Sequence, residues 1–509
     1  MSFEQQGTDQ EMLTNLQELI SQIEGFKLYE NSIHEDDEDW LCIVREGVDK
    51  YLLVLPEDGL NSKSGFVGEK IEVGATTLLK CELSRQNAEI LRAQFSFTNA
   101  VLIGKKNSYG FGDRLGNAGP AHLRVVQETD FKPVLAQQSI RELERTNRTA
   151  EEVMDAASWS VFQEGYHEGF GADGDHLKTT NDIDRMVKAG YTMFTIDPSA
   201  YVVNEVKSMT TTELEKEYEK LPWNELQDSS QKLLSRLTGA EFNLRDGYTI
   251  NPMREEVLQG MVKYGRVITH TKMLADYLGK TYANHPAELE LSVDETDAPT
   301  TLFEHYLVAS ELDRLGVELV SLAPRFCGDF EKGIDFKGDL NQFRDEYIQH
   351  LAIADKFGGY KLSIHSGSDK FSVYEVVGSI NLGAVHVKTA GTSYLEALRA
   401  VSVAAPEFFR EIMAFSLKRF EEDKKTYHIS ADVAKIEDPK SVPDEKLPGY
   451  LDDDHARQVL HVAFGSVLSG ALPEAKSYKN RLMTILEENE DIHERFLIRH
   501  FEKHLDPFK

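Results

Sequence analysis

From residue 100 onward, short apolar runs alternate with longer stretches of helical periodicity, and each run breaks off in a cluster of polar residues. Such a rhythm predicts parallel strands joined by crossover helices. Eight runs stand out: AVLIGKKNSYGFGDRLG (100–116), EGYHEGFGADGDHLK (164–178), YTMFTIDPS (191–199), ELELSVDET (288–296), ELVSLAPRF (318–326), YKLSIHSGSD (360–369), AVHVKTAG (384–391) and TYHISADV (426–433). Eight is the number that closes a barrel. The expected fold class is therefore α/β, an eight-stranded (β/α)8 TIM-type barrel. A doubly wound open sheet is the competing architecture, but that fold usually carries a glycine-rich phosphate turn after its first strand. GFGDRLG (110–116) has spaced glycines without the full spacing, so no nucleotide cofactor is expected.

The flanks read differently. The first 99 residues suggest a small α+β extension: a helical pattern around Met12 to Ile23, extended WLCIVREG and KYLLVLPEDG, a turn at GLNSKSG, then FVGEKIEVG and a helical stretch around Asn87 to Gln94. Between the third and fourth runs lie about ninety residues of mainly helical patterning, far more than one crossover needs. They predict a helical insertion at about 205–285. After residue 434 only loop and helix patterns remain, which divides the chain into residues 1–99, a barrel over 100–436 and a C-terminal helical extension over 437–509.

Composition narrows the function. A 509-residue chain with 41% apolar residues can bury one large core and carry appendages. The formal charge of -30 repels polyphosphate over most of the surface, which argues against nucleic acid as a partner. It still allows a local cationic cleft for an anionic small molecule. Cys42, Cys81 and Cys327 are odd in number and far apart, so neither a disulfide framework nor a CxxC metal site organises the fold. The polar, acidic start and the lack of any continuous apolar stretch of membrane-spanning length make a cytoplasmic, non-membrane protein the expectation.

In a barrel of this kind the reacting groups sit on the loops at the C-terminal ends of the strands. Those ends carry Asp113 and Arg114; Asp175, His176 and Lys178; Asp197; Asp294 and Glu295; Arg325; His365, Ser366 and Ser368; His386 and Lys388; and His428 with Asp432. Any one of them reads equally well as a solvated loop residue, but the convergence is dense. His176, His365 and His386 each follow or interrupt an apolar run, and neutral imidazole is a ligand for divalent metals such as Zn or Mn. The bland alternative is a buried histidine hydrogen-bonded within the barrel mouth. Asp175 and Glu295 beside them suit coordination, orientation of a histidine or proton transfer. Arg114, Lys178, Arg325 and Lys388 lie at four strand ends where a cation holds a substrate carboxylate, although Arg114 could instead pair with Asp113. His270 reads as a helical packing residue, and Glu304 as an acid in a helix first turn behind a Thr300 or Thr301 cap. RFCGDFEKGIDFKGD after the fifth run is rich in glycine and charge and reads as a lid over the site or merely a mobile loop, the lid being favoured.

SVDETDAPTT, SLAPRFCGDFEKGIDFKGDL, YKLSIHSGSDKFSVY and VHVKTAGTSYLEALR, with GFGDRLG and GADGDHLKT upstream, resemble the tagaturonate/fructuronate epimerase family of hexuronate catabolism over roughly residues 100–470. The resemblance implies a divalent-metal-dependent epimerase that interconverts the two ketouronates at C4, some members also acting on tagatose and fructose. It implies Asp175 as proton acceptor, Glu295 as proton donor, and His176 and His365 as metal ligands; His386 joins them here on its strand-end position alone. Two other readings stand beside it. A metal-dependent aldolase or ketose isomerase would use the same ligands on the same fold, and a sugar-acid binding protein would need no proton-transfer groups. C4 lies β to the C2 ketone, so its C–H is not acidified, and with no dinucleotide fingerprint a retro-aldol route is expected.

Overall fold

The computed structural model describes residues 16–36, 39–56, 64–74 and 76–509. The N-terminal helical stretch falls partly outside the described residues and is helical from Leu16 to Ser21; of the GLNSKSG turn, residues 59–63 lie outside them. Six strands, β1 (Phe26–Leu28), β2 (His34–Asp36), β3 (Asp39–Glu46), β4 (Asp49–Pro56), β5 (Glu69–Val73) and β6 (Thr76–Glu82), make an antiparallel sheet in the order β1-β3-β4-β6-β5, with β2 beside β3. Central strands of this sheet read as almost continuous apolar runs because both faces are covered. Leu41, Ile43, Leu52 and Val54 pack on the helix Arg85–Gln94 and on Trp159 and Phe162 of the helix Ala150–Glu164. Cys42, Val44 and Leu53 meet Leu16 and Ile20 on the other side. All three cysteines are free and buried.

Eight parallel strands then close a barrel: β7 (Ser108–Phe111), β8 (Lys132–Ser139), β9 (Gly171–Leu177), β10 (Met193–Ile196) and, beyond a small hairpin of β11 (Phe242–Asn243) and β12 (Thr249–Ile250), β13 (Glu288–Val293), β14 (Ser321–Pro324), β15 (Lys361–Ile364) and β16 (Val385–Thr389). Each pairs with the next and β16 returns to β7. The open-sheet alternative is excluded. One strand assignment needs correction. TYHISADV holds no barrel strand; its ends are single 3-10 turns at Lys424–Thr426 and Val433–Lys435. The missing strand is KPVLAQQS, whose apolar stretch is short and begins with proline, a residue that demotes a run in any pattern reading. Its polar end, Gln137 to Ser139, is buried; Gln137 lines the cavity at the barrel mouth, Gln138 donates to the Asp113 carbonyl and Ser139 caps the next helix.

Helices wrap this barrel. Between β10 and β13 the chain forms Thr211–Glu219, Ser230–Leu237 and the long helix Arg254–Thr281, which packs on Leu302–Arg314. Thr301 caps the latter and forms a capping box with Glu304, so that acid has the electrostatic role expected of it. A second apolar core unites Thr392–Ala404 and Pro406–Asp423 with Asp454–Val462 and Tyr478–Glu488. The last helix, Glu490–Leu505, lies against Thr392–Ala404 and Gly119–Val126, with Leu497, Phe501 and Leu505 in the barrel core. Among the described residues no helix is long and apolar enough to cross a membrane.

Candidate active site

Period-two alternation fills the barrel interior with charge. Successive inward positions on β15 and its loop are Lys361, Ser363 and His365; on β13 they are Glu290, Ser292 and Asp294; on β16 they are His386 and Lys388. Strand β9 contributes Asp173 and Asp175 by the same rule, and then breaks it. His176 has φ of 55° and the register with β10 shifts between Phe194 and Ile196, so adjacent Asp175 and His176 both reach the mouth. A non-glycine residue held in the left-handed region costs roughly 1 kcal/mol or more. That strain coincides with the proposed chemistry, as it does at Ser366, with φ also of 55°.

The centre of the network is Lys388. Its Nζ lies 2.7 Å from Asp173, 2.9 Å from Asp175 and 2.7 Å from Glu290, and donates to Thr195 at 2.6 Å. Burial alone would lower its pKa; the three carboxylates hold it well above the usual lysine value. Glu290 also faces His365 Nε2 at 2.7 Å, which leaves Nδ1 on the side of Asp294 at 3.3 Å. Likewise Asp197 lies 3.3 Å from Nδ1 of His176, leaving Nε2 turned to Asp175 at 3.8 Å. One donor atom each from Asp175, His176 and His365 lies within 4.8 Å of the others. An imidazole whose far nitrogen is held by a carboxylate is the usual outer arrangement of a metal-bound histidine, so this set fits a divalent cation.

Charge accumulates accordingly. Burial disfavours the imidazolium of His176, but Asp175 and Asp197 lift its pKa to about 9; burial opposes the charge on His365 too, and Asp294 and Glu290 lift it to about 10. Against burial, His176, Lys388 and His365 hold Asp175 at about 2, and Asp197, Asp294 and Glu290 also stay well below the carboxylate range. Only Asp173 is pushed up by burial, to about 6. Without a metal, the site thus draws protons into the place a cation would take.

Above this cluster opens a cavity of about 480 Å³, of sugar size, lined by Asp175, His176, Asp294, Glu295, Arg325, His365 and Lys388 among others. The structure therefore brings together most of the residues picked from the sequence, and leaves some out. His386 lies one inward position below Lys388, fully buried, with Nδ1 2.8 Å from the Ser108 hydroxyl, and does not line the cavity. Arg114 turns away from the cavity. It is buried in an ion pair with Glu142 at 3.0 Å, not with Asp113, and its guanidinium stacks 3.5 Å from the Phe464 ring. Lys178 is half exposed and 3.2 Å from Asp197, outside the cavity lining. His270 stacks on Tyr201.

Pattern reading missed Asp173 and Glu290, whose signal was a charged residue at an inward position of an apolar strand. It missed Gln137, Arg141 and Lys332, which also line the cavity. Gly110 matters here, because a Cβ on it would lie 2.0 Å from the Gln137 Oε1. The expected lid is a fastened wall. Asp329 bridges to Lys337, the buried Lys370 ammonium donates to the carbonyls of Glu331 at 2.7 Å and Ser368 at 3.0 Å, and Arg457 donates to that of Gly333 at 2.9 Å. Tyr427 and His428, from the run that is no strand, complete the rim.

Three comparisons bear on this arrangement. Residues 29–508 match the family model for UxaE, tagaturonate epimerase. The chain is 42% identical over 488 residues to a tagaturonate/fructuronate epimerase of Thermotoga maritima, covering 95% of this chain and 97% of that protein. It superposes on the native crystal structure of fructuronate-tagaturonate epimerase UxaE from Cohnella laeviribosi with a TM-score of 0.89 and 37% identity, over 98% of this chain and 99% of that one. A one-glycerol complex of the same protein matches with a TM-score of 0.88 and 36% identity, over 100% and 99% of the two chains.

Proposed function

Because this chain belongs to the tagaturonate epimerase family, we propose that it interconverts D-tagaturonate and D-fructuronate by breaking and re-forming the C3–C4 bond, with the aid of a divalent cation held by Asp175, His176 and His365. The observation that carries this reading is the convergence of those three donors at the wall of a sugar-sized cavity, each histidine backed by a carboxylate. A cation such as Zn or Mn bound there supplies Lewis acidity for the charge that develops on the ketone oxygen. His386, one layer lower, supports the cluster from beneath.

The residues then have distinct tasks. A base takes the proton of the C4 hydroxyl, its electrons form the C4 aldehyde, and the C3–C4 pair moves into an enediolate on the ketone fragment. Rotation of the aldehyde presents its other face, C3 re-adds, and the new C4 alkoxide takes a proton. Since the hydroxyl points to different sides in the two epimers, two proton carriers are needed, and Asp175 and Glu295 are the pair on hand. Asp175, held at about 2, is ionised at any working pH but weak as a base. Glu295 has no ion-pair partner among the described residues and bears the larger share. Lys388 keeps Asp173, Asp175 and Glu290 ionised together. Tagatose and fructose share the reacting atoms and would be slower substrates.

Mixing metal-loaded protein with D-fructuronate and separating the ketouronates tests the activity directly; no second ketouronate would refute it. In D2O the hydrogen at C4 should stay in place, because it remains on the aldehyde carbon throughout. Stoichiometric deuterium at C4 would replace bond cleavage with direct proton exchange.

A further inference from the structure

Of the cations chosen from the sequence as carboxylate anchors, three are occupied: Arg114 by Glu142, Lys178 by Asp197, and Lys388 by Asp173, Asp175 and Glu290. Two others, Arg141 and Lys332, line the cavity and form no salt bridge among the described residues. Their local acids are already engaged. Glu142, next to Arg141, is held by Arg114, and Glu331, next to Lys332, is held by Lys337, Gln458 and Ser430. Arg141 is placed by the helix Ile140–Thr146 that follows β8, and its guanidinium lies 5.4 Å from the Tyr427 ring. Lys332 is placed by the fastened loop after β14 and donates to the Ser366 hydroxyl.

We propose that Arg141 and Lys332 together form the subsite that binds the substrate carboxylate and select sugar acids over neutral ketoses. The inference rests on the sugar-acid reading of the preceding subsection and adds the residues that make it selective. Arg141 and Lys332 repel each other, and although Asp294, Glu295 and Glu142 lie within electrostatic reach of Lys332, none of them forms a salt bridge with it, so the two like charges cost free energy that a bound anion offsets. In a chain of net charge -30, acids are abundant, so unpaired cations converging on one cavity are not explained by a shortage of partners. The lining offers two kinds of group. An arginine fork and a lysine point charge suit a planar carboxylate, whereas Asp175, His176 and His365 suit a cation and the hydroxyl and ketone oxygens. A ketouronate has these two ends.

Calorimetric titration of metal-loaded protein with D-fructuronate and with D-fructose tests the subsite. Arg141→Gln and Lys332→Met should each weaken fructuronate binding about ten- to a hundredfold, the size expected for a lost charge-assisted hydrogen bond, and should shrink the ratio of fructuronate to fructose affinity. Arg141→Lys should recover part of the loss, a rescue that needs no fructose measurement. If Lys332→Met fails to fold by circular dichroism, Lys332→Arg reads the same ratio with charge retained and should stay near the starting protein. An unchanged ratio in both charge-removing variants, or a loss confined to Arg325→Gln, the remaining unpaired cation on that wall, would overturn the assignment. Collapse of the ratio without any epimer formed would sink the reaction and leave the subsite standing; epimer formation with an unchanged ratio would do the reverse.

Discussion

Two groups of one aspartate and two histidines lie inside this molecule with donor atoms within 4.8 Å of one another: Asp175, His176 and His365 at the barrel mouth, and Asp369, His500 and His504 beneath the last helix. Their composition is the same and their surroundings are opposite. Asp369 accepts from Arg457 at 2.7 Å and is bonded to His500, and its own backbone N–H donates to His504 Nε2 at 3.1 Å, while Nδ1 of His504 donates to the His500 carbonyl at 3.0 Å. That group already contains its cation, the Arg457 guanidinium, and does not line the cavity at the barrel mouth. The mouth group borders the cavity, with its far nitrogens backed by carboxylates. The mouth group has a cation of its own as well, Lys388 on Asp175 at 2.9 Å, but neither histidine is bonded to it and one side of the group stays open to the cavity, as a cation site requires.

The sharpest way to break this contrast is to alter one member of each group. His365→Ala is expected to lose bound metal and to lower kcat/KM by roughly three orders of magnitude, the several kcal/mol that Lewis-acid stabilisation contributes. Arg457→Met should destabilise the fold by about 3–5 kcal/mol, because it removes the guanidinium paired with buried Asp369, yet leave the metal content of folded protein unchanged. Elemental analysis and urea melts of the two variants decide it; metal lost from the Arg457 variant and kept by the His365 variant would exchange the two roles.

A smaller effect is expected one layer out. Glu290→Gln keeps the shape but weakens the acceptor for His365 and removes one of the charges around Lys388. A loss of about ten- to a hundredfold in metal affinity is the typical cost of such a change, measurable by competition with a chelating dye. Affinity equal to that of the unaltered protein would remove Glu290 from the account.

The gentlest test is pH. Without metal, His176 and His365 titrate at about 9 and about 10, above the ~6.5 of an unfolded chain. Their contribution to stability is complete below about 6.5 and is lost as pH rises through the folded values. Chelated protein should therefore soften between pH 7 and 10, by at most about 1.4 kcal/mol per pH unit for each imidazole, and the metal-loaded form, whose imidazoles are already deprotonated, should not. His504 has the opposite sign. Burial lowers it to about 3, so its contribution is present above about 6.5 and is lost as pH falls. Calorimetric melts of chelated protein that stay flat from pH 7 to 10 would refute the mouth assignment.

Much of this was legible before any coordinates. Seven of the barrel strands coincide with the runs read from the pattern, because the face of each strand that packs under the helices is apolar even where the inward face carries charge. Strand β8 escaped because Pro133 opens its apolar stretch and Gln137, Gln138 and Ser139 end it. TYHISADV took its place because a segment crossing the cavity rim alternates as an edge strand does. Asp175, His176 and His365 announced themselves by sitting where apolar runs stop. Glu290 did not, since ELELSV reads as a half-exposed strand until the barrel closes around it. The anchoring cations were hidden for another reason: whether Arg114 or Arg141 is unpaired depends on which of them takes Glu142, a choice made by the fold.

The central claim is that epimerisation at C4 depends on a cation held by Asp175, His176 and His365. Its most direct test is to strip the purified protein with a chelator, confirm by elemental analysis that no divalent metal is left, and follow D-fructuronate with and without Zn or Mn restored. Tagaturonate should form only after metal is returned, in proportion to the sites refilled. Undiminished conversion by the stripped protein would contradict the account.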